Sequence, residues 1–226
     1  MLAAPAQVPF RAMFSEIVES GCYVPSAEFR IRNGDTVLDI GANVGLFSIC
    51  SSLQVPSARI LAFEAAHDNF LALTENIRST RCKGISAHHY AVTDDSKKLA
   101  TLYRGSHGGI HSIRPEYRNW DPSSGRPRKT EKVHTITLER IFQRFKLEHV
   151  DFMKLDCEGA EYEILLSTSG RTMSRIRKIV GEYHDLSAQR HRGVLKEFLR
   201  RNGFRVVFRA AGPDKPWGMF AAVRAP

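Results

Sequence analysis

The stretch Val37-Leu38-Asp39-Ile40-Gly41-Ala42-Asn43-Val44-Gly45-Leu46-Phe47-Ser48 decides the fold. An apolar strand carrying one acid runs into a tight turn framed by two glycines, and a helical pattern follows at once. That order builds a cradle in which backbone can approach a ligand. The spacing is D-x-G-x-x-x-G, with Asn43 where a dinucleotide-binding G-x-G-x-x-G turn has its middle glycine, so nothing in it asks for a pyrophosphate. Asn43 suits the place because Asn tolerates left-handed backbone angles and can cap a helix beginning near Val44. The plainer alternative is a glycine-bearing strand-to-helix turn of any doubly wound domain.

Outward from this turn the chain alternates. Strand patterns cover Thr36 to Ile40, Arg59 to Phe63 and Ile85 to Val92, with helical patterns from Val44 to about Leu53 and from about Asp68 to Ile77. Such alternation predicts a parallel sheet with helices on both faces. Residues 1–34 read as a leader or lid beside the cradle, with Phe10, Phe14, Ile17 and Val18 at helical spacing, and residues 35–226 as the main domain. From about 99 to 138 the pattern breaks into an insertion with a short strand at each end, Leu99 to Tyr103 and Val133 to Ile136. Order resumes with a strand from Val150 to Leu155, another from Lys178 to Glu182 and a helix from about Ser187 to Arg201. The ending, Phe204 to Arg209 then Met219 to Val223 with no helix between, must be an antiparallel hairpin.

The sequence has 226 residues, 42% of them hydrophobic, enough for one α/β domain with a sizeable core. A net charge of +9 favours acidic partners without choosing among nucleic acid, anionic lipid and phosphorylated metabolites. Cys22, Cys50, Cys82 and Cys157 are scattered, with no zinc or disulfide spacing. The N-terminus lacks a basic leader with an apolar core, and no stretch approaches membrane-spanning length, so a cytoplasmic address is expected. Nothing in the sequence sets the oligomeric state.

The opening turn resembles the first motif of class I S-adenosylmethionine (SAM) methyltransferases. That likeness implies that Gly41, Asn43 and Gly45 bring backbone to the methionine half of the cofactor, while Asp39 orients the loop or meets the amino group. Glu64 ends the second strand, where an acid can accept both ribose hydroxyls of an adenosine cofactor, or simply cap the next helix. Further segments make the likeness specific: Phe63-Glu64-Ala65, Ala91-Val92-Thr93-Asp94, Thr135-Ile136-Thr137-Leu138, Lys154-Leu155-Asp156-Cys157-Glu158-Gly159-Ala160-Glu161 and Glu182-Tyr183-His184. In this order they resemble the FkbM family of SAM-dependent methyltransferases, whose members methylate hydroxyl oxygens of sugars and secondary metabolites. The resemblance implies a Rossmann-like class I methyltransferase fold: a mostly parallel seven-stranded sheet with a C-terminal antiparallel hairpin and helices on both faces. It also implies Glu64 on ribose, Ala65 and Ala91 around adenine, and Asp156 beside the methionine end or the acceptor. Ala65 departs from the pattern, standing where proline is frequent.

Methyl transfer to a hydroxyl needs in-line approach and removal of the alcohol proton as the new bond forms. Asp156, Glu182 and His184 are the candidate catalytic groups, since the strands they follow end on one rim, and His184 has an ordinary pKa near neutrality. Glu158, His111 and Ser112 are candidate acceptor contacts, with Glu158 and Glu161 expected along one helix face. Two carboxylates plus solvent suffice for Mg²⁺, but Glu158 and Glu161 serve a helix N-terminus or a basic partner equally well, so the expectation is a metal-free site. His107 and His111 are spaced like a helical ligand pair, but Gly108-Gly109 between them disfavours a helix.

The leading expectation is therefore an O-methyltransferase acting on a small-molecule hydroxyl, with the basic loop Arg126, Arg128, Lys129 and Lys132 available to clamp an anionic handle. An RNA-modifying enzyme is the alternative suggested by charge, though aromatic-interleaved basic runs and the N-P-P-Y motif of amino-methylating enzymes are absent. A non-catalytic SAM-binding domain is the third.

Overall fold

The computed structural model describes residues 2–5, 8–94, 97–105, 111–115 and 129–225. His107, Gly108, Gly109, Arg126 and Arg128 lie outside the described residues. A short helix α1 (Phe10–Phe14) runs into a π-helical turn (Ser15–Glu19), and a 3₁₀ turn (Ala27–Phe29) precedes β1 (Thr36–Ile40). Then come α2 (Leu46–Gln54), β2 (Arg59–Glu64), α3 (His67–Thr80), β3 (Ile85–His89), β4 (Ala91–Val92), β5 (Leu99–Arg104), β6 (His111–Ser112) and β7 (Lys129–Ile136). The chain finishes with α4 (Leu138–Arg144), β8 (Phe152–Leu155), α5 (Glu161–Leu166), α6 (Gly170–Met173), β9 (Lys178–His184), α7 (Arg192–Arg201), β10 (Phe204–Ala210) and β11 (Trp217–Arg224).

Seven strands form one sheet in the order β10-β11-β9-β8-β1-β2-β3. All pairs are parallel except those made by β11, which is antiparallel to both β9 and β10. β1 and β8 are buried along nearly their whole length, as central parallel strands covered on both faces must be. Strand alternation divides the core: Leu38, Ile40, Leu61, Phe63, Met153 and Leu155 pack under α4, α5 and α7, whereas Val37, Ile60, Ala62 and Phe152 pack under α2 and α3. This is the Rossmann-like class I methyltransferase architecture.

Several elements differ from the expectations. The third strand breaks at Tyr90, because Ala91 and Val92 leave β2 and pair instead with Thr135 and Ile136 of β7. Both strands expected at the ends of the insertion are present, the second beginning at Lys129 rather than Val133, and Leu99–Arg104 pairs antiparallel with Lys129–His134, giving a second sheet ordered β4-β7-β5-β6. The last helix begins at Arg192 rather than Ser187. His191 caps it by accepting from the Gly193 N–H at 3.0 Å, and Asp185 accepts from the Arg192 N–H at 2.6 Å. Helix α4 is an addition to the expected elements, although Leu138, Ile141 and Phe142 have helical spacing and Thr137 accepts from the Arg140 N–H as its cap. Asn43 takes the left-handed angle expected of it (φ 52°) but does not cap α2. Its side-chain oxygen bonds the Val44 N–H at 2.8 Å, and Gly45, at φ 90°, is the residue from which α2 starts.

Candidate active site

The ends of β1 and β8 meet so closely that a Cβ on Gly41 would lie 1.7 Å from the Asp156 carbonyl oxygen, and Gly41 also holds φ +78°. Only glycine fits there. Gly45 acts behind the turn, where a Cβ would strike Leu73 of α3 at 2.5 Å, so this glycine seats α2 on α3.

Parallel register sets Asp39 beside Lys154 on neighbouring strands. Both side chains are buried, with Lys154 Nζ 3.1 Å from Asp39 Oδ1, donating to the Gly41 carbonyl at 2.9 Å and lying 3.8 Å from Asp156 Oδ2. The other Asp39 oxygen accepts from the Ser48 hydroxyl at 2.6 Å. Burial alone would lower the Lys154 pKa, but the charges of Asp39 and Asp156 outweigh it and push it above its ordinary value. Asp39 thus faces inward, toward Lys154 and Ser48.

Two cavities meet across Gly41, Asn43, Asp156 and Glu158, which line both. The first, roughly 590 Å³ including space open to solvent, is walled by Ile40, Phe63, Ala65, Ala91, Val92 and Leu102, with Glu64 at its edge. Glu64 accepts from the Asn43 and Ala66 N–H groups, each at 2.8 Å. Its carboxyl is nevertheless raised to about 7, because burial outweighs those two bonds. The second cavity, roughly 780 Å³, lies between the cradle and the leader and is lined by Met13, Glu16, Tyr23, Phe47, Lys154 and Glu182. The leader thus sits beside the cradle.

Around the second cavity the carboxylates are unequal. Glu182 is raised to about 7 by burial first and by the charge of Asp156 second, against the opposing pull of His184. The Asp156 Oδ2 accepts a 2.7 Å hydrogen bond from the Tyr23 hydroxyl. His184 is buried, 3.5 Å from Glu161, 3.4 Å from Glu182 and 3.7 Å from Glu158. Burial would lower its pKa, but Glu161 above all, with Glu182 and Glu158, raises it well above the ordinary value. These surroundings favour the protonated ring, so that His184 faces the three carboxylates as a hydrogen-bond donor. Glu161, the partner below it, accepts from the Cys157 and Gly159 N–H groups and is held below its usual range by His184 in spite of burial.

Other expected contacts fall elsewhere. Glu158 and Glu161 do not share a helix face, since Glu158 (φ 51°) and Gly159 (φ 97°) are left-handed and α5 starts only at Glu161. Glu158 turns to the cavities and Glu161 to the core. Ser112 is buried and donates to the Glu158 carbonyl at 2.5 Å, so it braces that loop and lines neither cavity. His111 borders the first cavity, with Nδ1 accepting from the Gly105 N–H at 3.3 Å, and not the second. Among the described residues, no group of three or more His, Cys, Asp and Glu side chains is arranged to hold a metal ion. Nor is any helix there long and apolar enough to cross a membrane.

Sequence reasoning leaves three residues without roles: Lys154, Tyr23 and Glu16. A lysine inside an otherwise apolar strand is the signal for the first, because a buried ammonium requires anionic partners. Tyr23 and Glu16 reach the site only through tertiary packing, and no local pattern marks them.

The sheet order with an antiparallel last strand, together with a cradle and two joined cavities at the carboxyl ends of β1, β2 and β8, defines a class I methyltransferase. The methyltransferase FkbM domain matches residues 39–206, and the chain belongs to the FkbM family of methyltransferases. It is 27% identical over 216 residues to 31-O-demethyl-FK506 methyltransferase FkbM of Streptomyces tacrolimicus, spanning 86% of this chain and 82% of that protein. Methyltransferase sdnD of Sordaria araneosa is 25% identical over 230 residues, spanning 90% and 85%. The crystal structure of methyltransferase FkbM from Methylobacillus flagellatus KT shares the fold, with a TM-score of 0.58 at 16% identity, over 90% of this chain and 47% of that one. Family membership implies SAM as the methyl donor.

Proposed function

We propose that this methyltransferase is O-directed and acts on a hydroxyl of a small-molecule acceptor such as a sugar, a glycosylated metabolite or a polyketide-type metabolite. The observation that carries the proposal is Glu182, a carboxylate with a pKa near 7 at the wall of the second cavity beside Asp156. A general base is most effective when its pKa lies near the working pH. An alcohol needs such a base as its oxygen attacks, whereas a thiolate does not.

The donor set of the first cavity fits an adenosine cofactor: an apolar slot suits a purine, and a buried carboxylate at its edge suits a ribose diol. In this assignment Glu64 holds the ribose, Ala65 and Ala91 flank adenine, and the Gly41 to Asn43 backbone with Asp156 receives the methionine end. When bound, SAM supplies an electrophilic methyl group on a sulfonium. Glu182 takes the acceptor's proton, and His184, fixed from below by Glu161, keeps Glu182 aimed. The acidic wall formed by Glu16, Asp156, Glu158 and Glu182 also argues against a polyanionic acceptor such as RNA reaching this cavity.

Glu182→Gln is expected to lower methyl transfer by about 10²–10⁴-fold, the usual contribution of a positioned base. Because only ionised Glu182 accepts a proton, the native rate should fall as pH drops through about 7, and the variant's residual rate should lose that limb. Labelled SAM with a panel of hydroxyl-bearing metabolites measures both and names the acceptor. Transfer to amines or thiols alone across a matched panel would discard the O-directed assignment.

A further inference from the structure

Asp156 and Glu182 face the same cavity, yet their surroundings differ. Asp156 Oδ2 accepts from the Tyr23 hydroxyl at 2.7 Å and faces the Lys154 ammonium at 3.8 Å. Glu182 has no hydroxyl donor among the described residues, and the His184 ring approaches it at 3.4 Å. Tyr23 itself is fixed. It is 3% exposed, stands edge-on to Phe47 at 5.6 Å, and carries the Lys154 ammonium 5.0 Å from its ring centre. Phe47 stacks in turn on Phe152 of β8, so the ring is clamped from the sheet outward.

We propose that Tyr23, contributed by the N-terminal leader, is a positioning residue of the active site: its hydroxyl, with Lys154, engages Asp156 and leaves Glu182 as the group that receives the acceptor's proton. The inference rests on the O-methyltransferase reading for the identity of that proton. The link between Tyr23, Asp156 and Glu182 stands on geometry alone. A proton arriving at Asp156 Oδ2 would have to displace the Tyr23 O–H at 2.7 Å and sit against an ammonium, whereas Glu182 meets no hydroxyl and only the longer 3.4 Å approach of the His184 ring to one of its two oxygens. The leader thereby decides which of two neighbouring acids works as the base. The charged and titratable groups around Glu182 are His184 on its own strand, Lys154, Asp156 and Glu158 at the end of β8, and Glu16, Cys22 and Tyr23 from the leader.

The test needs no acceptor. The full chain is labelled with ¹³C at the Glu carboxyl carbons and titrated by NMR, the Glu182 signal being assigned by its absence in Glu182→Gln. The native protein should give one Glu182 step near 7. Tyr23→Phe deletes the hydroxyl and keeps the ring on Phe47; its Glu182 step should move away from 7, because the carboxylate beside it is no longer held by the leader's hydroxyl. Asp156→Asn leaves the leader untouched and removes the negative neighbour, so the Glu182 midpoint should fall by about one unit, a tenfold change in its ionisation constant. A single unmoved Glu182 step in folded Tyr23→Phe, or an unmoved midpoint in Asp156→Asn, overturns the proposal. Calorimetry of the native protein with S-adenosylhomocysteine is a separate readout: failure to bind would defeat the functional reading and leave the carboxylate titrations standing.

Discussion

Glu64→Gln should weaken SAM binding by about 100-fold while the protein stays folded. The native carboxylate already accepts two backbone N–H bonds, from Asn43 and Ala66, and still lines the first cavity, so lone pairs remain for a ribose diol. Each hydrogen bond to a charged group contributes roughly 1.5–3 kcal/mol, and about 1.4 kcal/mol is a tenfold change in affinity. Losing the charge at two hydroxyl contacts therefore reaches two decades. The glutamine keeps one acceptor oxygen for the backbone but turns an N–H toward the other amide, which loosens the Asn43 turn as well. The pH dependence has a definite sign. With the Glu64 pKa near 7 in the free protein and the ionised form favoured by two donor hydroxyls, binding below pH 7 must release a proton. Native affinity should then rise as pH climbs from 6 to 8 and level off, and that slope should vanish in the variant. Titration calorimetry with S-adenosylhomocysteine across this range measures both, and equal affinity for native and variant would remove Glu64 from the cofactor site. Stability runs the other way: this raised carboxyl is at no disadvantage in acid, and its contribution is lost as pH rises from its ordinary value through about 7.

The cradle is legible in the sequence because its reasons are local. An acid in a buried strand, glycines at positions where a Cβ would collide, and an Asn at a left-handed angle each leave a mark in the residue type itself. The closing hairpin is equally legible, since two strand patterns joined by Gly212-Pro213-Asp214 admit no crossover. What escapes is decided at a distance. Tyr90 breaks the third strand because the partner of Ala91 and Val92 lies more than 40 residues onward, at Thr135 and Ile136. His184 is marked in the sequence by its ordinary pKa near neutrality, but the three carboxylates around it, from the loop after β8, from α5 and from β9, converge only in the folded chain. Ser112 and His111 resemble pocket residues because they sit in a glycine-rich stretch. The second sheet turns one onto the Glu158 carbonyl and the other toward the first cavity.

Lys154→Met should be the most destabilising of these substitutions. Methionine keeps an unbranched side chain one atom shorter but removes the only ammonium among the described residues within ion-pair distance of Asp39, whose carboxylate is wholly buried and would keep just the Ser48 hydroxyl. The Gly41 carbonyl would lose its donor as well, at the point where the cradle crosses β8. Breaking a buried ion pair from one side costs about 3–5 kcal/mol, because the remaining charge is left uncompensated. Against a total stability of roughly 5–15 kcal/mol, this is a large fraction. At about 2–4 °C per kcal/mol for a chain of this size, the melting temperature should fall by roughly 6–20 °C. If the cause is the orphaned charge, Asp39→Asn on the same background should recover part of the loss, since the amide no longer needs a cation. If the cause is volume alone, the second substitution will add to the damage. The native pair also predicts an alkaline limb. Lys154 has its pKa raised in the folded state, so its contribution is complete below the ordinary lysine pKa of about 10.4 and disappears as pH rises through the higher folded value. Thermal melts of the four proteins of this cycle, repeated at neutral and alkaline pH, separate the terms. An unchanged melting temperature in Lys154→Met would mean that the cradle is held by backbone geometry at Gly41 and not by the Asp39 and Lys154 pair.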